Sequence, residues 1–457
     1  MNNTAHKRDD EPAEQSTNGL AQVLLVSAFA GALVGLVGGS FHWLLVHGNK
    51  SFAGLLAQWK AEGLFGLPGW VFAMILVGVC VAAARWLVTF APTAAGSGVQ
   101  HVEAVMREEA TPATFRVLPI KFLGGLLAMV PGLALGREGP TIQMAAVIGT
   151  QCGKWFGFTR GDRSLLYTAI AGSGLSVAFN APLAGVAFVI EEVAHRITMR
   201  RLLATLIAVA TAITVYRAYF GNDVEFNVTE LLPGTIPELM AYGLLGAWIG
   251  ALGVMYNKSV LLGLNLFSST APKSSPILKA GVVGAFIGLV AYWQPQWVGG
   301  GEIQVNAILA GQLSLNALII LLLVRWVLGP LSYSMSTPGG LFAPLLLVGA
   351  TSGALFATSI NFIVTAPFVL DPIAFALVGM AAFFTAVVRA PFTGVLLIIE
   401  MSGSVTLVAP LIAASVAACL VASLMRGEPI YDSLRARMNT HTKTKEMQDD
   451  DGDRRRT

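Results

Sequence analysis

The chain has 457 residues, of which 55% are hydrophobic and only 12% are charged, and its formal net charge is +3. A soluble domain is typically about a quarter charged, so most of this surface must face something other than water, and the small net charge gives no electrostatic basis for binding nucleic acid. The cysteines Cys80, Cys152 and Cys419 are scattered among apolar neighbours, which excludes a disulfide framework and a cysteine-rich metal site.

The chain begins with a polar segment of mixed charge, residues 1–19. The apolar run that follows is too long for the core of a signal peptide, so we expect a retained tail and then a true span. A membrane-spanning helix needs about 20 apolar residues. Candidate spans lie at 20–47, 69–90, 117–135, 165–192, 201–220, 238–263, 277–293, 317–329, 340–364, 373–400 and 404–425. Several are short or interrupted by glycine or proline, which favours helices that break inside the membrane.

The charges that flank the spans are unevenly distributed. The segment after residue 192 carries the basic residues His195, Arg196, Arg200 and Arg201. The segment 221–238 has no lysine or arginine but carries the acidic residues Asp223, Glu225, Glu230 and Glu238. Positive charge favours the cytoplasmic side, so the first segment is predicted to lie in the cytoplasm and the second outside.

The two halves of the chain resemble each other. Residues 180–192 read NAPLAGVAFVIEE and residues 389–401 read RAPFTGVLLIIEM, while GREGP at 136–140 is matched by GLFAP at 340–344. Paired segments in the same order indicate structural repeats with a transport site at their interface. We predict a tail at 1–19, one membrane repeat at 20–220, an extracytoplasmic loop at 221–238, a second repeat at 239–431 and a charged tail at 432–457.

Two glutamates end the first repeated segment. Glu191 matches Glu400, so a glutamate at this position serves both halves and is predicted to be structural. Glu192 faces Met401 in the alignment of the halves and is therefore specific to one half, which suggests a task of its own.

The stretch GREGP places a carboxylate, Glu138, between apolar segments. An ionisable residue at membrane depth is costly and indicates function. Pro140 suits the first turn of a helix, and the free N–H groups of a helix start attract anions. A carboxylate tethered there can occupy the place of an anion and release it on protonation. The other interpretation is a buried ion pair between Arg137 and Glu138 that holds helices together, and the residues alone leave both open.

Two further glycine-rich breaks and one tyrosine are also candidates for binding an anion. Ser97, in Ala95-Gly96-Ser97-Gly98, offers an uncharged donor suited to an anion that must also leave. The stretch at 339–344 is a second break, and Tyr431 follows the last span. Taken singly, these are more often helix contacts and an interfacial tyrosine.

Two other classes of protein were weighed. An intramembrane serine protease could use Ser97 or Ser173, but a serine nucleophile needs a base within reach. None of the histidines His42, His47 and His101 forms a convincing dyad with them, so we predict that the chain is not an enzyme. A membrane scaffold without transport activity would have no need for an ionisable residue such as Glu138 at membrane depth.

Taken together, these motifs resemble the CLC family of chloride channels and chloride/proton antiporters. The family's three anion-site signatures appear here as GSGVQ at 96–100, GREGP at 136–140 and GLFAP at 340–344. The resemblance extends from about residue 20 to Tyr431. One position departs from it, because Gln100 stands where the first signature has proline.

The resemblance implies a role for each site residue. The central chloride would be held by the hydroxyls of Ser97 and Tyr431 and by the backbone N–H groups of Leu341 and Phe342. Glu138 would be the external gate, lying at an outer anion site formed by backbone around Arg137 and Gly139. Protons would be delivered from the cytoplasm by Glu192, with Glu103 and Lys121 as supporting residues.

The resemblance also implies the fold and activity. The fold would be an all-α polytopic membrane protein with two inverted-topology repeats of tilted and re-entrant helices. The activity would be exchange of chloride for protons, with a passive voltage- or pH-gated chloride channel as the alternative. The expected assembly is a homodimer in a bacterial inner membrane, with both termini cytoplasmic, no cytoplasmic CBS domains, and no metal or cofactor beyond chloride as a bound substrate ion.

Overall fold

The computed structural model describes residues 18–62, 67–193, 198–222, 224–226, 228, 236–269, 274–363 and 369–439, and these are overwhelmingly helical. The helices of the first half are α1 Leu20–Glu62, α2 Gly69–Val88, α3 Val99–Met106, α4 Val117–Met129, α5 Glu138–Trp155, α6 Arg160–Phe179, α7 Pro182–Phe188 and α8 Met199–Phe220. Those of the second half are α9 Ile236–Ser269, α10 Pro276–Trp293, α11 Glu302–Leu309, α12 Leu315–Ser334, α13 Phe342–Ile363, α14 Pro372–Val388, α15 Pro391–Ser402 and α16 Val408–Leu424. A last helix, α17, covers residues 430–439.

The second half repeats the packing of the first. Helix α1 packs on α8 as α9 packs on α16, and α5 packs on α6 as α13 packs on α14. Equivalent helices also meet across the halves, α2 against α10 and α7 against α15. The fold is therefore the predicted all-α polytopic one, built from two inverted-topology repeats.

The helices that face lipid are long and apolar. In the described part of the chain, seven helices are long and apolar enough to cross a membrane. Helix α1 has 43 residues and is about 65 Å long, roughly twice the ~30 Å hydrocarbon core, so it must tilt or extend beyond it. Its Leu25 is 71% exposed, and Val79 of α2 is 61% exposed. Such side chains suit contact with lipid rather than water.

Two of the predicted spans each consist of two helices separated by a break. The span 165–192 breaks at Asn180, which is left-handed with φ 52°, and the span 373–400 breaks at Arg389 with φ 75°. Each left-handed residue ends one helix, and a proline two residues later, Pro182 or Pro391, begins the next. The sequence predicted interrupted helices, and both of these ranges are interrupted.

Helix α5 was absent from the predicted spans. Nearly all of its residues are buried inside the protein, including Gln143 and Thr141. A helix surrounded by other helices does not need the apolar surface that lipid demands, so hydropathy overlooked it. Small residues serve it better, because at Gly149 a Cβ would come within 2.7 Å of the Leu166 carbonyl oxygen of α6.

The glutamates shared by the two repeats cap each other's helices. Glu191 accepts the backbone N–H groups of Phe392 at 2.8 Å and Thr393 at 2.6 Å, at the start of α15. Glu400 accepts the N–H groups at the start of α7, at 2.9 and 2.8 Å. These N–H groups have no partner within their own helix. Each repeat thus satisfies a helix start in the other, which agrees with a structural role for both glutamates.

Several sequence predictions concern the ends of helices, the two tails and residues outside the described ranges. Helix α8 ends at Phe220 and α9 begins at Ile236, so the last three residues of the expected loop 221–238 are helical. The tail predicted to begin at 432 opens inside α17. His195, Arg196, Asp223, Glu230 and most of both tails lie outside the described residues.

Candidate anion site

Backbone hydrogen bonds join the three glycine-rich stretches. Gly136 and Gly340 exchange two of them, at 2.9 and 2.7 Å. Gly96 donates to the Thr337 carbonyl at 3.1 Å and accepts from Gly339 at 3.1 Å. These bonds bring together the starts of α3, α5 and α13, whose free N–H groups and dipoles favour negative charge. The sequence predicted these three stretches as parts of one site, and they do meet in space.

The carboxylate of Glu138 lies between two of these helix starts. Its Oε1 accepts the backbone N–H of Phe342 at 2.7 Å, and the side chain is fully buried. Its Oε2 has no hydrogen-bond partner among the described residues. Only glycine fits alongside, because a Cβ on Gly340 would lie 2.2 Å from Oε1 and one on Gly136 would lie 2.1 Å from Oε2. The carboxyl group of Glu138 therefore already occupies this position.

Arg137 is held by other partners. Its guanidinium forms ion pairs with Glu225 at 2.9 Å and Glu302 at 2.8 Å, and its Nε donates to the Ala178 carbonyl at 2.7 Å. These contacts, rather than a pair between Arg137 and Glu138, satisfy the buried arginine. The arginine ties α5 to α6, to α11 and to the segment that carries Glu225, which leaves Glu138 available for another task.

A cavity lies beside the position of Glu138. It has a volume of about 340 Å³ and is lined in part by Arg137, Glu302 and Asn49. It reaches Gly136 and Ala343, which flank the Glu138 carboxylate. Positive charge on Arg137 is balanced there by carboxylates, so the cavity does not present a bare cation that would trap an anion.

Two hydroxyls predicted to bind an anion are buried without partners. Ser97 Oγ and Tyr431 Oη form no hydrogen bond among the described residues, although both side chains are fully buried. The Tyr431 phenol lies next to the Ser97 side chain, and the charge of a Glu138 carboxylate acts on it. A buried hydroxyl without a partner is costly. The two hydroxyls are therefore suited to donate to an anion between them.

Hydrogen bonds from Lys121 hold the loop that carries Ser97. Lys121 is fully buried, and its Nζ donates to the carbonyls of Gly96 at 2.6 Å and Ser97 at 2.9 Å. Gly139 packs against the same loop so closely that a Cβ on it would lie 2.4 Å from Ser97 Oγ. Lys121 thus positions the serine, and the structure does not bring it into an ion pair with Glu103.

Gln100, at the departure from the family pattern, contacts its own loop. Its Oε1 accepts the backbone N–H of Gly98 at 3.1 Å, so the side chain folds over its own loop. Gly98 is left-handed with φ 89°, and α3 begins at the next residue. The Gln100 side chain therefore helps to hold the loop from which α3 begins.

Sequence reasoning missed an aromatic shell around the site. The Tyr333 hydroxyl accepts the backbone N–H of Ser97 at 3.4 Å. The Phe342 ring contacts Phe384 edge-on with centroids 4.7 Å apart and lies 5.9 Å from the Tyr431 ring. Leu341 is buried just before α13. Single aromatic residues in apolar helices carry no signal that separates them from ordinary core.

The glutamate predicted to transfer protons, Glu192, and the supporting residue Glu103 lie close together. Glu103 is only 3% exposed and forms an ion pair with Arg435 at 3.2 Å. The carboxyl groups of Glu103 and Glu192 interact with each other. Glu192 lies in a π-helical turn, Val189–Val193, at the end of α7. The structure therefore brings Glu103 and Glu192 together, and Arg435 is a partner that the sequence did not indicate.

The serine protease alternative finds no geometric support. Ser173 Oγ donates to the Ile170 carbonyl at 2.6 Å, within its own helix. His101 Nδ1 pairs with the Tyr167 hydroxyl at 2.9 Å. Within the described ranges no hydrogen bond joins Ser97 or Ser173 to a histidine.

The chain is similar to known membrane transport proteins. The family model described as "Voltage gated chloride channel" matches residues 77–423. The chain is 35% identical to the H(+)/Cl(-) exchange transporter ClcA of Vibrio parahaemolyticus, covering 93% of this chain and 91% of that protein. It is 34% identical to ClcA of Klebsiella pneumoniae, covering 91% and 88%.

Solved structures show the same likeness. A slow cyanobacterial Cl-/H+ antiporter superimposes with a TM-score of 0.86 at 30% identity, covering 93% of this chain and 99% of the other. A CLC-type fluoride/proton antiporter gives a TM-score of 0.74 at 20% identity, covering 90% and 97%, which is a likeness of fold alone.

Proposed function

The chain belongs to the voltage-gated chloride channel family, and from that premise we propose that it is a secondary-active antiporter that exchanges chloride for protons across a bacterial inner membrane. The observation that carries the proposal is the hydrogen bond from the Phe342 N–H to Glu138 Oε1, at the meeting of helix starts suited to an anion. The relatives named as H(+)/Cl(-) exchange transporters support the proton half.

In this mechanism Glu138 and chloride compete for the same N–H groups. The ionised carboxylate occupies the outer anion position, beside the backbone of Arg137 and Gly139. Protonation removes its charge and weakens its hydrogen bond to Phe342, because charge-assisted hydrogen bonds are roughly twice as strong as neutral ones. The side chain then yields its place to chloride. One residue thereby gates the anion and carries the proton.

The central chloride would be bound by uncharged donors. The hydroxyls of Ser97 and Tyr431 and the backbone N–H groups of Leu341 and Phe342 supply these contacts. Conduction needs binding that is favourable enough for entry and weak enough for exit. Hydroxyl and amide donors meet that requirement better than a lysine or arginine would.

Protons would reach Glu138 from the cytoplasmic side through Glu192, with Glu103 beside it. The Tyr431 phenol lies within electrostatic reach of both Glu138 and Glu192, which makes the anion site the natural meeting point of the two pathways. Lys121 contributes by holding the Ser97 loop.

We further propose that both termini face the cytoplasm and that the protein is a homodimer with one pathway per subunit. Arg200, on the side predicted to be cytoplasmic, donates to the Asn18 carbonyl at 2.9 Å near the N-terminus. Near the C-terminus, Arg435 pairs with Glu103, which neighbours Glu192. The N-terminal end of the described chain therefore contacts the first turn of α8, and the C-terminal end lies near Glu192 in the turn that follows α7. Site-specific labelling of each terminus in intact cells and the mass of the detergent-solubilised protein test these two points.

The passive chloride channel is the second candidate, because the matching family model carries that description. Purified protein in liposomes separates the two. A chloride gradient imposed on an antiporter drives protons uphill in the opposite direction, which an external pH electrode records alongside chloride release. Chloride release without opposing proton flux would replace the antiporter with the channel.

A further inference from the structure

Helix α17 carries an arginine at the centre of a charged cluster. Arg435 forms ion pairs with Glu103 at 3.2 Å, Glu109 at 3.2 Å and Asp432 at 2.7 Å, and its side chain is only 12% exposed. Glu192 interacts with Glu103 from the other side. We call these five residues the Arg435 cluster. Arg107, 3.5 Å from Asp432, is a second cation at its edge.

The acidic partners of Arg435 differ in their exposure to solvent. Glu109 and Asp432 are 35% and 40% exposed, and ion pairs at such positions contribute little to stability. Glu103 is 3% exposed, so the charge of its carboxylate is compensated chiefly by Arg435. Removing one member of a buried pair leaves the other uncompensated, which is costly. The Arg435–Glu103 pair is therefore the contact that couples helix α17 to the charge of the buried Glu103 carboxyl group.

The same helix contacts the anion site. Tyr431 and Arg435 are four residues apart on α17 and so lie on one face, a turn apart. The phenol of Tyr431 lies next to the Ser97 side chain, while the guanidinium of Arg435 forms an ion pair with Glu103. A rigid helix of this length cannot move one end of that face without moving the other.

We propose that Arg435 is a positioning residue that links protonation of the Glu103–Glu192 carboxyl pair to the position of the Tyr431 hydroxyl at the anion site. The inference rests on the proposed function and deepens it. A proton that arrives from the cytoplasm neutralises one carboxylate of the pair and weakens the attraction on Arg435. Helix α17 is then free to shift, and with it the donor that holds the central chloride. When the proton leaves for Glu138, the ion pair re-forms.

The test compares two arginines of one helix. Arg435→Gln removes the proposed link, and Arg437→Gln removes the same charge two residues away, where the side chain instead contacts Asn265 and the Leu264 carbonyl of α9. Each variant is reconstituted in liposomes, and chloride and proton fluxes are recorded together over a range of internal pH. Arg435→Met, which keeps a long side chain, serves if Arg435→Gln does not fold, and the melting temperature in detergent identifies such a failure.

The expected result has two parts. Without the cation, the carboxyl pair binds protons at a lower proton concentration, so the internal pH of half-maximal chloride flux should move upward by about one unit, which is tenfold in proton concentration. The number of protons moved per chloride should fall at least about threefold, because the Tyr431 helix no longer follows the carboxyl pair. Arg437→Gln should keep the wild-type midpoint and ratio, and Arg435→Lys should keep the wild-type midpoint.

Two contrary results have different meanings. If the wild type couples protons to chloride and the folded Arg435 variant keeps its midpoint and ratio, or if Arg437→Gln changes them equally, the inference is overturned and the antiporter proposal stands. If the wild type moves chloride without protons, the proposed function fails and this inference fails with it.

Discussion

Replacing Glu138 by glutamine tests the competition between carboxylate and chloride directly. The amide has the same shape but no charge, so it resembles the protonated acid. It loses the charge-assisted part of the hydrogen bond from Phe342, about 1–2 kcal/mol. It also loses the attraction of the carboxylate to the helix starts of α5 and α13, about 1 kcal/mol.

The two losses together amount to about 2–3 kcal/mol, which corresponds to a roughly 30- to 150-fold weaker hold of the side chain on the outer anion position. Chloride should therefore enter without waiting for a proton. In the wild type, chloride flux should increase as pH falls, because protonation releases the carboxylate. In Glu138→Gln, chloride flux should be independent of pH, and proton movement should be absent.

The assay uses liposomes loaded with chloride, with a chloride electrode and a pH electrode in the external solution. Glu108→Gln is the matched control, because this glutamate is exposed and follows the end of α3 rather than lying at one of the three helix starts. The control should keep wild-type coupling. A Glu138→Gln protein that still pumped protons against a chloride gradient, or whose chloride flux kept the wild-type pH dependence, would refute the competition mechanism.

Other predictions follow from the same geometry. Glu192→Gln should transport chloride with little or no proton movement in the same liposome assay, and intact coupling would remove it from the proton path. Gly139→Ala should slow chloride flux by about tenfold or more, because its Cβ would lie 2.4 Å from Ser97 Oγ; a flux equal to that of the wild type would contradict the tight packing. Glu400→Gln should lower the free energy of unfolding by about 1–3 kcal/mol, measured by thermal melting in detergent, because a charged cap at α7 becomes neutral. Crystals soaked in bromide should give an anomalous peak between the hydroxyls of Ser97 and Tyr431, and its absence would count against a central site.

Much of the site could be predicted because its chemistry is local. Glycine and proline at fixed spacing around Glu138 mark a helix start where backbone and ligand approach closely. The matched segments at 180–192 and 389–401 indicated two repeats, and the fold contains them. The roles assigned to Glu138 and Glu192 remain predictions, since geometry places these side chains without showing transport.

What escaped prediction depends on contacts distant in sequence. Helix α5 is buried among other helices, so its sequence lacks the apolar surface that marks a span. Arg435 belongs to a segment that looked like the start of a polar tail, and nothing nearby indicates that Glu103, 332 residues earlier, is its partner. Arg137 looked like the neighbour of Glu138, whereas its side chain turns to Glu225 and Glu302.

The reciprocal glutamate caps have a consequence for biosynthesis. The start of α7 depends on Glu400, which follows Leu183 by 217 residues. At a synthesis rate of ~5–20 residues per second, the ribosome needs about 10–40 seconds to produce it. During that interval the first half sits in the bilayer with a helix start that only water, a lipid headgroup or an insertion factor can satisfy. The start of α7 therefore gains its protein partner only after the second half of the chain has been made.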